Sequence, residues 1–365
     1  MRGGRVLVSS LALGCALSMA ATAHASSVIE VDPPERLFEV IGGRITEASG
    51  LALSEDGERF YTIPDAGGPA EVYVFGKKGE TTAILTLPTR DLNEDWEDIA
   101  VVKGKDGRRH IYLADTGDAW FVRRDKGMPN RTEYRLLKFP EPDPSVKGET
   151  PVTDVITYTL AYADGGSHNS EAVAVHPRTG QVFFIAKTEK AGAPVRAWSA
   201  PATLSQNRTN TLRQIHADLR VQGASGASFS PTGDRLVVRN ATHAYVWWIK
   251  NSDVAASLRA KPITVELPTQ RQGEGIAFTI DGQALLVNSE GSRQAVWKVP
   301  LPSEAGARED TDKQVGASLP PTLAEPAPGT GDNDLLMIII ALVAGTGGLG
   351  LLTYHLVRAR RTTVS

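Results

Sequence analysis

Short apolar runs alternate with polar turns along most of this chain, and one unit of that pattern recurs five times. The unit is an apolar strand, a turn of the Asp-Gly or Thr-Gly type, and a second apolar strand. Its copies span residues 49–65, 97–115, 171–187, 225–240 and 274–290. Because glycine supplies the positive backbone angles that tight turns need, each copy predicts a β-hairpin.

Further strands follow each hairpin. Third strands, rich in aromatic and branched residues, are predicted at 71–76, 133–140, 196–200, 244–250 and 294–300. Fourth strands are predicted at 81–88, 154–162, 212–220 and 262–268. A unit of four antiparallel strands repeated roughly every 50 residues is typical of a β-propeller blade.

The number of blades depends on how the ring closes. The fifth copy has no fourth strand, but a spare strand at 37–42 precedes the first hairpin, and using it there would cover an exposed sheet edge. We therefore predict an all-β fold, a propeller of five four-stranded blades. Six blades remain the alternative, because the second and third hairpins start 74 residues apart. An inserted surface loop at 118–132 would also explain that interval.

Both ends of the chain differ from this pattern. Residues 1–25 have the basic start, apolar run and small-residue cleavage site of a signal peptide, which leaves a propeller ectodomain at 26–301. Residues 302–334 are rich in Pro, Ala, Gly and acids and predict a flexible stalk. Residues 335–357 are apolar over a length that spans a bilayer, and the basic tail 358–365 predicts a cytoplasmic C-terminus. We therefore expect a single-pass plasma-membrane protein with its propeller outside.

Charge and cysteine content exclude several classes of function. Of the 39 basic residues, two lie in the signal peptide and three in the tail, whereas all 42 acidic residues lie between them, so residues 26–334 carry a net charge of −8. This acidity argues against a nucleic-acid partner. The single cysteine, Cys15, lies in the signal peptide, so the mature protein would have neither a thiol nucleophile nor a thiolate metal ligand.

Candidate site residues cluster where the hairpins begin and end. In a propeller, the start of each first strand and the end of each second strand lie on one face of the ring. Glutamates occupy three of the five starts, at Glu97, Glu171 and Glu274. With Asp115 and Asp118, these glutamates are the candidate metal ligands. Candidate ligand-binding residues on the same face are Asp65, Trp96, Asn169, Lys187, Arg239 and Glu290, and His168 is the candidate catalytic base.

Three converging carboxylates repel one another unless a cation lies among them. The oxygen ligands suit Ca²⁺ or Mg²⁺, and Ca²⁺ is the cofactor we consider. Alternatively, Lys187 and Arg239 neutralise the glutamates. In that case the glutamates tie neighbouring blades together by accepting backbone hydrogen bonds.

The motifs EASGLALS (47–54), DWEDIA (95–100), DTGDA (115–119), SEAVAV (170–175) and GEGIAF (273–278) carry a family resemblance. Together they resemble a group of actinobacterial secreted or membrane-anchored β-propeller proteins of unassigned function. In that group the third motif usually ends in Asn, where this chain has Ala119. In architecture alone, the chain is similar to calcium-dependent lactonase and paraoxonase propellers and to phytase-like esterases, and this likeness implies acidic ligands at the channel mouth.

Two functions follow from these features. The first is a membrane-anchored extracytoplasmic module that binds a protein, a glycan or a small ligand. The alternative is a Ca²⁺-dependent hydrolase of esters, lactones or phosphoesters with its site at the channel mouth.

Overall fold

The computed structural model describes residues 32–42, 44–65, 68–88, 93–188 and 190–306, and their regular structure is almost entirely β. In chain order the strands are β1 (Glu35–Glu39), β2 (Ala48–Leu53), β3 (Arg59–Pro64), β4 (Glu71–Gly76), β5 (Thr81–Thr86), β6 (Trp96–Lys103), β7 (Arg109–Asp115), β8 (Tyr134–Pro140), β9 (Gly148–Pro151), β10 (Ile156–Tyr162), β11 (Ser170–Val175), β12 (Val182–Ala186), β13 (Ala197–Ser199), β14 (Asn210–His216), β15 (Gly226–Phe229), β16 (Arg235–Arg239), β17 (His243–Trp248), β18 (Ile263–Glu266), β19 (Gly273–Phe278), β20 (Ala284–Ser289) and β21 (Ala295–Pro300). Two short helices, α1 (Trp120–Asp125) and α2 (Val254–Ser257), lie in connecting segments. The all-β prediction is confirmed.

The strands of the described residues associate as antiparallel groups of four. In the order of their first strands, group one is β2-β3-β4-β5, group two is β6-β7-β8-β10, group three is β11-β12-β13-β14, group four is β15-β16-β17-β18 and group five is β19-β20-β21-β1. Two parallel pairings extend this plan at outer edges. Strand β9 joins β5, and β10 joins β14, which merges groups two and three into one sheet of eight strands.

The first strands of the groups form a ring. Each contacts the next in the cyclic order β2, β6, β11, β15, β19 and back to β2. Group five takes its outer strand from the N-terminal part of the chain, because β1 pairs antiparallel with β21. This ring of antiparallel groups is the arrangement of a β-propeller.

Apolar side chains fill the spaces between neighbouring groups. One cluster includes Phe38, Phe60 and Phe75 between groups five and one, where two of the three ring pairs lie edge to face. Equivalent clusters join the other neighbouring groups. Each sheet is therefore covered by apolar clusters on both of its faces. This explains why the first and second strands are apolar and buried almost throughout.

A fully buried carboxyl group, that of Asp98, lies at the centre of the ring. One oxygen accepts hydrogen bonds from the backbone N–H groups of Val173 (2.9 Å) and Ala227 (3.1 Å), in the first strands of groups three and four. The other oxygen accepts one from Ile99 N–H at 2.8 Å. Burial raises the pKa of Asp98 to about 8 against the opposing effect of these donors. Asp98 thus connects three groups through a single side chain.

Smaller polar side chains also connect neighbouring groups, each by donating a hydrogen bond to a backbone carbonyl of the next group. Ser49 Oγ donates to Glu97 O at 2.6 Å, Thr116 Oγ1 donates to Ser170 O at 2.7 Å, and Ser225 Oγ donates to Gly273 O at 3.0 Å. Asn288 closes the ring, because its Nδ2 donates to Gly50 O at 3.1 Å. These contacts join the groups without using a glutamate side chain.

The segment 118–132 is mostly exposed, as expected of a surface loop, but it also contains a short helix and a buried arginine. The helix is α1, and the guanidinium-bearing side chain of Arg131 is only 1% exposed. Arg131 is buried because it has an acidic partner in β7, described below.

The termini lie largely outside the described residues, including the predicted signal peptide, the membrane segment 335–357 and the basic tail. No helix within the described residues has the length and apolar character needed to cross a bilayer.

We expect Asp98→Ala to lower the free energy of unfolding by on the order of 3 kcal/mol or more, because it leaves three buried N–H groups without an acceptor. Asp98→Asn keeps one carbonyl oxygen and should cost less. Chemical denaturation measures both changes. Asp125→Asn, at an exposed position, is the control and should change stability by less than about 0.5 kcal/mol. A loss below about 1 kcal/mol for Asp98→Ala would contradict the role assigned to this carboxyl group.

Candidate functional site

One end of the ring opens into a cavity of about 400 Å³ that is lined largely by acidic residues. We call this cavity the acidic mouth. It is lined by Ser49, Asp65, Asp95, Glu97, Asp118, Ala119, Trp120, Asn169, Glu171, Lys187, Gln272, Glu274 and Glu290. Among these lining residues, seven are carboxylic acids and one, Lys187, is a base.

Three of the carboxylates lie especially close together. Asp65, Asp95 and Glu97 each contribute one oxygen, and these oxygens lie within 4.8 Å of one another. Asp65 follows β3, Asp95 precedes β6 and Glu97 lies at the start of β6, so the trio spans groups one and two. Oxygen atoms at this spacing are within the range that a single bound cation can bridge.

The Asp95 carboxylate is held by the turn after β7. One of its oxygens accepts a hydrogen bond from Ala119 N–H at 2.5 Å. Ala119 adopts a left-handed backbone with φ of 50°, which is uncommon for alanine and common for asparagine. Gly117 is equally constrained, since a methyl group there would clash with both Asp95 and Glu97.

Behind this turn, Asp115 forms a buried ion-pair network. Its carboxylate oxygens lie 3.0 Å from Arg131 Nη1 and 2.7 Å from Arg135 Nε, and one oxygen also accepts from Asp95 N–H at 2.9 Å. Arg131 donates in turn to Gly117 O at 3.0 Å. Asp115 therefore positions the backbone around Asp95, while its own oxygens point to arginines.

The opposite wall of the mouth is organised around Glu171. Its two oxygens accept from Lys187 Nζ at 2.6 Å and from Asn169 Nδ2 at 2.7 Å. Asn169 Oδ1 accepts from the backbone N–H of Asp118 at 3.0 Å, which connects this wall to the turn before α1. Glu171 is thus the one glutamate of the three that has a direct ion-pair partner among the described residues.

Glu97 lies in a different environment. Its side chain lines the cavity while the residue is only 6% exposed, and no donor or cation among the described residues contacts its carboxylate. Glu274 is similarly buried, at 5% exposed, and interacts with Gln272. The scaffold therefore holds a buried carboxylate that faces the cavity and has no hydrogen-bond or ion-pair partner among the described residues.

Burial and mutual repulsion perturb the acids of the mouth. Desolvation raises the pKa of Asp95, Glu171, Glu274 and Glu290 to about 7 each. The pKa of Glu97 rises well above its ordinary value, because burial is reinforced by the charges of Glu171 and Asp95. Lys187 counteracts the rise at Glu171 and Glu274, and its own pKa is raised by Glu171 against the desolvation that lowers it. Near neutral pH the mouth therefore retains protons that exposed carboxylates would have lost.

Eight of the twelve candidate residues from the sequence line this cavity, and four lie elsewhere. Trp96 is fully buried in the apolar cluster between groups one and two. Arg239 is also fully buried, and it donates to backbone carbonyls including Gly275 O at 3.2 Å. Asp115 is occupied by arginines, as described above. His168 packs beside Tyr162 at 4.5 Å between ring centroids and lies 3.0 Å from Asp164, away from the cavity lining.

The sequence did not single out Asp95 and Trp120, although both line the mouth. Asp95 falls outside the repeat alignment that identified Glu97, Glu171 and Glu274, but the acidic run before β6 was a signal for it. Trp120 begins α1 and is 47% exposed, and nothing in the repeat indicated it.

No protein-family model matches the chain, and no curated protein matches it by sequence. Solved structures that are similar to it include a luciferin-regenerating enzyme, at 14% identity and a TM-score of 0.39, with 74% of this chain and 96% of that one covered. Another is a gluconolactonase from Xanthomonas campestris, at 15% identity and a TM-score of 0.39, with 75% and 96% covered. The WD40 repeats of RRP9 are similar at 9% identity and a TM-score of 0.38, with 74% and 100% covered.

The neighbours include a gluconolactonase, and lactonase propellers are one class to which the chain is likened in architecture alone. None of them supports the resemblance to an actinobacterial family. Likeness at this level does not extend to function.

The raised pKa values predict how stability depends on pH when no cation is added. The folded protein keeps protons that the unfolded chain loses, so its stability should fall as pH rises through about 7. Between its ordinary pKa of 4.5 and about 7, Glu274 alone accounts for about 3 kcal/mol by this linkage, of which roughly 0.8 kcal/mol is lost between pH 6.5 and 8. His176, whose pKa is lowered by burial, acts in the opposite sense below about pH 6.5, so the decline is best measured between pH 6.5 and 8.

Chemical denaturation in the presence of a chelator measures this decline. Glu274→Gln should make the decline less steep by the share of this one carboxyl group, whereas Glu133→Gln, at an exposed position, should leave it unchanged. Stability that rises or stays constant between pH 6.5 and 8 would contradict the proposed protonation of the mouth.

Proposed function

We propose that this protein is a five-bladed β-propeller that acts as an extracytoplasmic binding module, anchored by one C-terminal membrane segment, and that its acidic mouth binds a divalent cation. Each antiparallel group of four corresponds to one blade. The cation, together with Lys187 and the walls of the mouth, forms the binding site for a small polar ligand.

The observation that carries this proposal is the state of Glu97. A buried ionised carboxylate without a partner is strongly disfavoured, and proteins normally pair such a group, protonate it or place it beside a metal. Glu97 has no donor among the described residues, and Asp65 and Asp95 bring two further oxygens within 4.8 Å. A divalent cation would offset two of these three negative charges and give Glu97 a partner.

The chemistry of the lining residues favours a hard cation. Carboxylate and amide oxygens are the ligands that Ca²⁺ and Mg²⁺ prefer, whereas Zn²⁺ sites normally use histidine and cysteine. No histidine or cysteine lines the mouth among the described residues. Ca²⁺ fits the trio better than Mg²⁺ does, because Ca²⁺ accepts irregular geometry and a larger number of ligands.

The main alternative explanation for the glutamates is that they hold the blades together. The contacts between blades argue against that role, since Asp98, Ser49, Thr116, Ser225 and Asn288 make them through backbone groups. Arg239, which the sequence suggested as a neutralising cation, donates to backbone carbonyls and to Gln270. Among the described residues, the Glu97 carboxylate therefore remains available to a ligand.

Hydrolysis of esters, lactones or phosphoesters is a second candidate function, and one observation favours it. Glu171, Glu274 and Glu290 surround the cavity with pKa values of about 7, which suits a general base that works near neutral pH. His168 lies away from the cavity, so the base in this version of the proposal is a glutamate.

Glu97→Gln separates cation binding from a structural role. For the native protein we expect Ca²⁺ to raise the melting temperature, by an increment that grows with concentration. Without Ca²⁺, Glu97→Gln should be at least as stable as the native protein, because glutamine resembles the protonated, neutral form that burial and the neighbouring acids favour at Glu97. With Ca²⁺, its increment should be reduced by more than half. Glu55→Gln, in the turn between β2 and β3 and outside the lining of the mouth, is the control and should keep the full increment.

A drop in the cation-free melting temperature of Glu97→Gln would instead support blade locking. No effect of Ca²⁺, Mg²⁺ or Mn²⁺ on the native protein would remove the cation from the proposal. The hydrolase candidate requires in addition that Ca²⁺-loaded protein turn over an ester, lactone or phosphoester and that Glu290→Gln abolish this activity.

A further inference from the structure

A second cavity of about 400 Å³ lies at the other end of the ring, where the first strands finish. Its walls are mainly apolar, and we call it the apolar funnel. The side chains that define it are Leu53, Ile99, Val101, Phe229, Phe278 and Ile280. Ile280 is 46% exposed and lies at the rim, which makes it one of the few large apolar side chains exposed in the described part of the chain.

Strand β6 shows that the funnel is separate from the acidic mouth. Glu97 lines the mouth, Asp98 is fully buried between groups two, three and four, and Ile99 to Lys103 line the funnel. The layer that contains Asp98 therefore divides the central channel. A ligand in the funnel would not contact the carboxylates of the mouth.

The rim of the funnel carries a surplus of positive charge. Lys103, Arg109 and Arg178 border it, against one acid, Glu55. Arg109 is already paired with Glu141 at 2.7 Å. Lys103 is exposed and forms no ion pair within the described residues, and Arg178 makes only a long hydrogen bond of 3.4 Å, to Ser252 Oγ, through its guanidinium group. Two exposed cations thus lie beside an apolar cavity.

We propose that the apolar funnel binds a single-chain fatty-acid carboxylate, with its acyl chain against the apolar walls and its headgroup beside Lys103 and Arg178. An apolar concavity with a few polar groups at its edge is the usual form of a small-ligand site. The rim sets the sign of the headgroup, because a cationic amphiphile would meet two like charges and an anionic one two opposite charges. This site is independent of the proposed cation site.

Equilibrium dialysis of labelled fatty acids tests the proposal. The full chain is held in nanodiscs of zwitterionic lipid, so that no detergent competes, and empty nanodiscs give the background. We expect saturable binding of one decanoate per chain. Octanoate should bind about 15-fold more weakly, because each buried methylene contributes about 0.8 kcal/mol. Decyltrimethylammonium should bind at least tenfold more weakly than decanoate.

Variants at exposed positions assign this binding to the funnel. Ile280→Asp and the double variant Lys103→Glu with Arg178→Glu should each weaken decanoate binding by at least tenfold. Lys261→Glu makes the same kind of charge change away from the funnel and should bind normally. Melting temperatures show whether the variants are folded. If Ile280→Asp is not folded, the double variant provides the test.

Three results would overturn the proposal. The first is the absence of saturable binding above the empty-nanodisc background. The second is equal binding of decanoate and decyltrimethylammonium. The third is self-association of the native chain that Ile280→Asp abolishes without any decanoate binding, since that result would assign the funnel face to a second copy of the chain.

Discussion

The fold depends on one buried carboxyl group at the centre of the ring. Asp98 accepts backbone hydrogen bonds from Ile99, Val173 and Ala227, so a single side chain fixes the relative positions of groups two, three and four. Its cost is substantial, since burial raises its pKa to about 8. A propeller needs such a contact because the first strands converge at the axis, where their backbone groups have few partners. Both cavities take their shape from the strands that Asp98 aligns.

Because Asp98 and the short polar side chains join the blades, the acids of the mouth are not needed for that purpose. Six carboxylates besides Glu171 face the cavity, and the described lining offers one lysine. Gathering buried acids around one cavity destabilises a protein, and such an arrangement is typical of sites that bind or react. The ion pairs of Asp115 with Arg131 and Arg135 hold the turn before α1 rigidly and so keep Asp95 close to Glu97.

Much of the fold follows from the periodicity of the sequence. The turn residues and apolar runs of the five hairpins predict their strands closely, and the spare N-terminal strand appears as β1, although it begins at Glu35 rather than 37. The outer strand β9 was not predicted, because its sequence, Gly148–Pro151, lacks an apolar pattern and depends on pairing with β5. Tertiary contacts decide such edge strands, and a single sequence does not record those contacts.

The site was predictable only where it coincides with the repeat. Alignment of strand starts identifies Glu97, Glu171 and Glu274, and all three line one cavity. The same alignment gives no indication of Asp98, because the equivalent residues in those two copies are Ala172 and Gly275. Arg131 illustrates a second limit, since a basic residue in a polar loop reads as exposed until its partner Asp115 is placed beside it.

The central claim is that the acidic mouth holds protons at neutral pH and exchanges them for a divalent cation. Calorimetric titration of the full chain with Ca²⁺ at pH 7, in two buffers that differ in ionisation enthalpy, measures both events together. Our account predicts saturable binding in which each Ca²⁺ ion releases at least about one proton, because carboxylates that bind a metal must be ionised. Binding without proton release, or no binding heat in either buffer, would contradict it.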